Sequence, residues 1–135
     1  MTISKSNMKI LLKSQQGELD VVMMYQALAK VVKDENDAAT FRKLASEEGH
    51  HASVFHKLTQ ENIKPKKTLA FFITILYKLI GKKYKLIGKK RLYTKIIKGE
   101  YQACENYAPV AEKFPEIESV KEDEKRHGDI VASLL

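Results

Sequence analysis

The sequence has one cysteine, three prolines and six glycines among its 135 residues. A single cysteine excludes an internal disulfide, and it excludes a four-cysteine iron or zinc site built by this chain alone. Scarce cysteine also fits a reducing compartment, so we expect a cytoplasmic protein. The first residues lack the order of basic, apolar and small residues that marks a signal peptide, and none is expected. With 44% hydrophobic and 30% charged residues, the composition is that of a folded protein.

Acidic residues are absent from a long central stretch, residues 62–99. Twelve of the 24 basic residues lie there: Lys64, Lys66, Lys67, Lys78, Lys82, Lys83, Lys85, Lys89, Lys90, Arg91, Lys95 and Lys98. The rest of the chain therefore has 12 basic against 17 acidic residues, a formal charge of −5, although the whole chain carries +7. The positive charge belongs to one segment and does not by itself indicate a nucleic-acid-binding protein.

Hydrophobic periodicity predicts four amphipathic helices and no strand, and the length fits a single domain over residues 1–135. The predicted helices cover residues 4–33, 37–62, 91–113 and 116–134. Short links join the first helix to the second and the third to the fourth, so each pair is expected to form an antiparallel hairpin. Pro115 is expected in the first turn of the fourth helix, and Pro109 is expected to kink the third helix or end it early.

The long basic segment, about residues 63–90, is predicted to cross between the two hairpins as a helical connection. It contains a tandem copy, because residues 77–83 and 84–90 carry the same seven amino acids. Seven residues make about two helical turns, so the duplication rotates the following face only slightly. The apolar run at residues 69–80 is well short of the ~20 residues that a membrane-spanning helix needs.

Two interpretations of this crossover remain open. The simpler one is a solvated linker whose apolar side packs on the bundle. The other is peripheral membrane contact, in which the lysines meet anionic lipid while four apolar side chains enter the interface: Phe71, Phe72, Ile75 and Leu76. Nucleic-acid binding is less favoured, because two tyrosines among lysines do not form a base-stacking module.

The predicted helices repeat two stripes of residues that should be buried. In the second and fourth helices, a Glu and a His three residues apart occupy the centre of an otherwise apolar stripe. In the first and third helices, a Glu takes an aliphatic position and a Tyr follows seven residues later. The stripes are Phe41, Leu44, Glu48, His51, Phe55 and Leu58; Ile117, Val120, Glu124, His127, Val131 and Leu134; Leu11, Glu18, Tyr25 and Val32; and Tyr93, Glu100, Tyr107 and Phe114. The pattern indicates an internal repeat, in which the second helical hairpin has the same arrangement of residues as the first.

Four inward-facing carboxylates cannot all stay ionised in an apolar interior unless cations neutralise them. Two divalent ions would balance the four negative charges, and two imidazoles would complete the coordination. Oxygen and nitrogen donors together suit iron, manganese or zinc better than calcium or magnesium. The predicted ligands are Glu18, Glu48, His51, Glu100, Glu124 and His127. The alternatives are a metal-free bundle with these residues at its solvent edge, and a shifted pair, Glu47 with His50, which lies off the apolar face.

These motifs resemble the ferritin-like di-iron carboxylate proteins, most closely the rubrerythrin-like members. The matching stretches are Gly17-Glu18-Leu19 with Tyr25, residues 45–51, Gly99-Glu100 with Tyr107, and residues 122–127. The resemblance implies a ferritin-like four-helix bundle with two iron ions, a homodimer, and a redox reaction with oxygen or hydrogen peroxide: ferroxidase-like iron oxidation or peroxide reduction. Tyr25 and Tyr107 are core aromatics by default, and their matched placement also suits a hydrogen bond from each phenol to a ligating Glu of the other hairpin.

The chain departs from rubrerythrin proper in two ways. Rubrerythrin proper carries an additional Glu one turn after the first Glu of its third helix, and the corresponding residue here is Ala103. This difference argues against a peroxidase cycle that depends on the additional Glu. One cysteine cannot build a rubredoxin-type iron site, so electrons must come from an external donor protein. The crossover resembles the linker of ferritin-like domains associated with vacuolar-type iron transporters. The alternative function is therefore a non-catalytic iron-binding or sensing module that docks on a membrane transporter or an anionic surface through its lysines.

Overall fold

A computed structural model describes residues 2–68, 70–71, 73–75 and 85–135 of the chain. Four long α-helices dominate these residues, and none of the described backbone forms a strand. The predicted all-α class is confirmed. The first copy of the duplication, residues 77–83, and most of the predicted apolar run at 69–80 lie outside the described residues.

The first hairpin consists of α1 (Lys5–Val31) and α2 (Glu35–Thr59). Each helix begins at a capping side chain, because Ser4 Oγ accepts a hydrogen bond from the Asn7 amide at 3.2 Å and Asp34 Oδ1 accepts one from the Asp37 amide at 3.0 Å. Three residues, 32–34, link the helices, so α1 and α2 pack antiparallel.

The second helix ends three residues earlier than the predicted boundary at residue 62. Gln60 adopts a left-handed conformation with φ 59°, and its amide donates to His56 O at 2.7 Å. A left-handed residue at this position closes the last helical turn and redirects the chain. Glycine usually takes this conformation, so a glutamine there gives no signal in the sequence.

The beginning of the crossover is not helical and lies along α1. Residues 60–66 have no regular secondary structure, and α1 holds their backbone by three side chains. The contacts are Gln15 Nε2 to Glu61 O at 2.9 Å, Gln16 Nε2 to Lys64 O at 2.9 Å, and the Lys66 amide to Asp20 Oδ1 at 2.7 Å. This part of the crossover therefore belongs to the first hairpin.

The second hairpin consists of α3 (Lys85–Lys113), a 3₁₀ turn (Pro115–Ile117) and α4 (Glu118–Ser133). The third helix begins six residues before the predicted start at residue 91, inside the second copy of the duplication. It continues through Pro109, so the expectation that this proline ends the helix is wrong. Pro115 starts a 3₁₀ turn and not the α-helix itself, which begins three residues later.

The chain divides into two compact units, residues 1–76 and 77–135, one for each hairpin. Within each hairpin the two helices pack along their length, as in a helical bundle. No helix among the described residues is both long enough and apolar enough to cross a bilayer.

Candidate metal centre

The first hairpin buries two carboxylates and an imidazole side by side. Glu48 and His51 lie at the centre of the buried stripe of α2, and Glu18 lies in that of α1. His51 Nδ1 is 3.2 Å from Glu48 Oε2 and 3.6 Å from Glu18 Oε2. All three residues are at most 3% exposed. In the first hairpin, the three predicted ligands therefore lie together, with both carboxylates near Nδ1 of His51.

The second hairpin repeats this set of donors. Glu124 and His127 are buried on α4, and Glu100 is buried on α3. His127 Nδ1 is 3.9 Å from Glu100 Oε2, and a carboxylate oxygen of Glu124 lies within 4.8 Å of an imidazole nitrogen of His127. The two hairpins thus bury corresponding Glu and His side chains, as the repeated stripes predict.

Helical periodicity explains how each pair forms. Residues three apart lie one turn apart on the same face of a helix, so the face that buries Phe41, Leu44 and Phe55 also buries Glu48 and His51. On the neighbouring face Glu47 is half-buried and His50 is exposed. Burial thus agrees with the predicted choice of Glu48 and His51 over the shifted pair.

The donor set fits a divalent metal. Each hairpin presents two carboxylates and one imidazole in an interior where uncompensated negative charge is costly. One divalent cation per hairpin would neutralise the two carboxylates, and neutral imidazole nitrogen adds no charge. Carboxylate oxygen with imidazole nitrogen, and without thiolate, is a donor set that iron, manganese and zinc accept.

A match to a family model identifies the protein family of this chain. The model of the family described as Rubrerythrin matches residues 9–135, nearly the whole chain. The chain belongs to the rubrerythrin family. A search of curated proteins and a search of solved structures each gave no match. The predicted resemblance is confirmed, and the family together with the buried Glu and His residues supports a di-iron-binding protein.

Within this rubrerythrin-family chain, the two predicted tyrosines occupy different environments. Tyr25 is fully buried and stacks on Phe41, with ring centroids 5.8 Å apart and planes 17° from parallel. Tyr107 on α3 is half-buried. Packing accounts for Tyr25, while the predicted hydrogen bonds from the phenols to carboxylates of the opposite hairpin stay a prediction. Ala103 is half-buried one turn after Glu100.

One contact beside the predicted ligands was missed by sequence reasoning. The ring of Tyr101 lies across Gly128, and these two residues directly follow the predicted ligands Glu100 and His127. The Tyr101 hydroxyl donates a hydrogen bond to Asp129 Oδ1 at 2.5 Å. A Cβ at residue 128 would lie 2.7 Å from Tyr101 Cδ1, so glycine is what admits the ring. The signal in the sequence was a glycine in the middle of α4, a poor helix former.

The first hairpin also has an open groove of about 310 Å³ between α1 and α2. Gly49, His56 and Asn62 are among its lining residues. His56 is half-buried, and residues that follow α2 line the groove beside it.

Proposed function

We propose that this member of the rubrerythrin family is a non-haem di-iron oxidoreductase that carries out ferroxidase-like iron oxidation or peroxide reduction. The observation that carries the proposal is the buried set of two carboxylates and one imidazole in each hairpin. Glu18, Glu48 and His51 would hold one iron ion. Glu100, Glu124 and His127 would hold the other, and manganese or zinc would also suit these donors.

The residues of the chain contribute charge, orientation and exclusion of water. The buried carboxylates would neutralise the metal charge, and the spacing of Glu48 and His51 presents oxygen and nitrogen from adjacent turns of one helix. Phe41 and Phe55 are fully buried in the same stripe of α2 as Glu48 and His51, so this side of the helix would keep water away from bound metal. Bound iron supplies one-electron chemistry by passing between Fe(II) and Fe(III).

The source of electrons is part of the proposal. The chain has one cysteine, Cys104, and therefore no four-cysteine redox site of its own. Reducing equivalents would come from Fe(II) as substrate or from an external electron donor protein. A reducing cytoplasm would suit both sources and the free thiol.

Anaerobic titration with Fe(II), followed by mixing with oxygen or hydrogen peroxide, tests the proposal. We expect two iron ions per chain, a change in absorbance on mixing, and consumption of the oxidant. His51→Ala should abolish binding of one ion, whereas His50→Ala, at the exposed neighbouring position, should keep both. Binding without consumption of either oxidant would reject catalysis while leaving the metal site in place.

Ala103 favours a second candidate, a non-catalytic iron-binding or sensing module. The half-buried alanine stands one turn after Glu100, where the additional carboxylate of rubrerythrin proper would be. This candidate predicts tight iron binding with slow or absent turnover, and docking of the crossover on a membrane transporter or an anionic surface. Neutralising the basic residues of 82–91 should then abolish docking, and Ala103→Glu should increase peroxide turnover. Fast turnover in the unaltered protein would exclude it.

A further inference from the structure

Three exposed lysines form a row on the first half of α1. Lys5, Lys9 and Lys13 are spaced by four residues, so they lie on one face of the helix. Gln16 and Asp20 continue the same face toward the middle of α1. All five positions therefore lie on one continuous face of α1.

The crossover extends this row with three more lysines. Gln16 Nε2 donates to Lys64 O at 2.9 Å, and Asp20 Oδ1 accepts from the Lys66 amide at 2.7 Å. Lys64, Lys66 and the adjacent Lys67 are all exposed. From Lys5 to Asp20 the helix rises about 22 Å, so the six side chains follow an edge of roughly that length. We call these residues the lysine row: Lys5, Lys9, Lys13, Lys64, Lys66 and Lys67.

The charge of the lysine row is not compensated by ion pairs. Among the residues that the structure describes, none of its six ammonium groups lies within ion-pair distance of a carboxylate, whereas Arg42 in the same hairpin pairs with Glu35 at 2.6 Å. The carboxylate of Asp20 is instead occupied by the Lys66 amide and the side chain of Gln16. The row consequently presents net positive charge to solvent.

Two apolar side chains project from the helical turns that directly follow Lys67. Phe71 is 64% exposed and Ile75 is 38% exposed, one turn apart, while Ala70 and Ile73 on the opposite side are buried. The Phe71 amide donates to Lys67 O at 3.0 Å, which places the aromatic ring one turn after the last lysine of the row. Positive charge and exposed apolar surface therefore adjoin.

We propose that the lysine row, with Phe71 and Ile75, binds the surface of an anionic phospholipid bilayer. Lysines near such a surface are attracted to the acidic headgroups, and exposed apolar side chains bury themselves at the boundary between headgroups and acyl chains. Single-stranded nucleic acid uses stacking and backbone charge and offers little to an exposed aliphatic side chain such as Ile75, whereas a bilayer buries it, so the apolar pair favours a bilayer. The inference goes beyond the di-iron proposal and does not depend on metal.

Co-sedimentation of the full chain with phosphatidylcholine vesicles, with and without phosphatidylglycerol, tests the role of charge. Binding should require the anionic lipid. The triple variant K5Q/K9Q/K13Q should weaken it by about 100-fold, since each lysine near the surface contributes about fivefold. The matched variant K30Q/K33Q/K43Q removes the same charge near the other end of the hairpin. It should bind like the unaltered protein, because Lys30 lies about 25 Å along α1 from Lys13, beyond the Debye length of ~10 Å.

Tryptophan fluorescence tests the role of the apolar pair. The chain contains no tryptophan, so Phe71→Trp introduces a single emitter at the proposed point of insertion. Its emission should move to shorter wavelength with anionic vesicles and stay unchanged with neutral ones. Lys30→Trp, at an exposed position near the other end of α1, should show no shift and serves as the control.

Three results would overturn the proposal. Equal binding to neutral and anionic vesicles would remove the role of charge, and equal weakening by both triple variants would show that only net charge matters. Displacement of the protein from vesicles by single-stranded RNA, with no fluorescence shift at residue 71, would assign the lysine row to a nucleic-acid ligand. Circular dichroism of each variant separates loss of binding from loss of folding.

Discussion

At the scale of single residues, the buried carboxylates are the groups whose burial is most costly without a bound cation. Glu48 is fully buried beside His51 and Glu18, so in the metal-free protein its charge is opposed by desolvation and by a neighbouring carboxylate. We expect this pair of buried carboxylates to lower the stability of the metal-free protein, and a bound cation to offset the cost. The same reasoning applies to Glu124 in the second hairpin, which is 3% exposed.

The change Glu48→Gln should therefore have opposite effects with and without metal. It keeps the shape of the side chain and removes the charge, so the free energy of unfolding of the metal-free protein should rise by an amount on the order of 1 kcal/mol. In the presence of Fe(II), the variant should be less stable than the unaltered protein, because a ligand is lost. Thermal unfolding with and without Fe(II) measures both effects. Glu47→Gln is the control, and equal stabilisation of E48Q and the unaltered protein by metal would contradict the assignment.

Tyr101 should make stability depend on alkaline pH. Its hydrogen bond to Asp129, reinforced by the charge of that carboxylate, raises the pKa of Tyr101 above the ordinary value of 10.0. A pKa that is higher in the folded state means that the contribution is complete below pH 10 and is lost as pH rises through the raised value. Unfolding by denaturant at several pH values should show this loss in the unaltered protein and not in Tyr101→Phe.

Gly128→Ala offers an independent check of that contact. The added methyl group would displace the Tyr101 ring, and the pKa of Tyr101 should fall back toward 10.0 in a spectroscopic titration of the tyrosines. A Tyr101 titration that is identical in the two proteins would show that the ring does not lie across Gly128 in solution.

At the scale of elements, a buried amide joins the end of α2 to α1. Gln15 is 3% exposed, its Oε1 accepts from Thr59 Oγ1 at 2.6 Å, and its Nε2 donates to Glu61 O at 2.9 Å. Glu61 in turn donates its amide to Thr59 Oγ1 at 3.2 Å. This network holds the left-handed turn at Gln60 and starts the crossover along α1.

Gln15→Ala should cost about 2 kcal/mol of stability, because it leaves the buried hydroxyl of Thr59 and the carbonyl of Glu61 without the Gln15 amide. Gln16→Ala removes hydrogen bonds at a more exposed position and should cost about 0.5 kcal/mol. Urea unfolding of the two variants measures the difference. Equal losses would show that the buried network does not anchor the crossover.

The boundaries of the elements show where sequence reasoning succeeds and where it fails. The existence of all four helices and the burial at the centre of each stripe follow from periodicity, because a strongly amphipathic segment turns its apolar face inward. The last members of the stripes, Leu58, Phe114 and Leu134, and Tyr107 of the third stripe were also expected to be buried, but they are only half-buried. The end of α2 was misplaced because a glutamine adopts the left-handed turn. The predicted beginning of α3 is six residues too late, because the predicted crossover includes the second copy of the lysine-rich repeat, which is helical from Lys85.

At the scale of the whole molecule, metal binding should be coupled to folding. Anything that binds the folded state and not the unfolded chain adds stability, about 4 kcal/mol when the free ligand is a thousand times its dissociation constant. Fe(II) or Mn(II) should therefore raise the unfolding temperature, and a chelator should reverse the change. His51→Ala and His127→Ala together should remove most of this increase, whereas His50→Ala with His56→Ala should retain it. No shift with any divalent metal would contradict a resident metal centre.

The sequence by itself determined the all-α class, the two hairpins, and which Glu and His residues are buried. These follow from local spacing, since residues three, four and seven apart on a helix share a face whatever lies opposite. Only the tertiary structure decided that His51 Nδ1 contacts carboxylates of two helices, that Tyr101 crosses Gly128, and that residues 60–66 run along α1. Those contacts join residues far apart in the chain, and no local periodicity specifies which distant atoms meet when the helices pack.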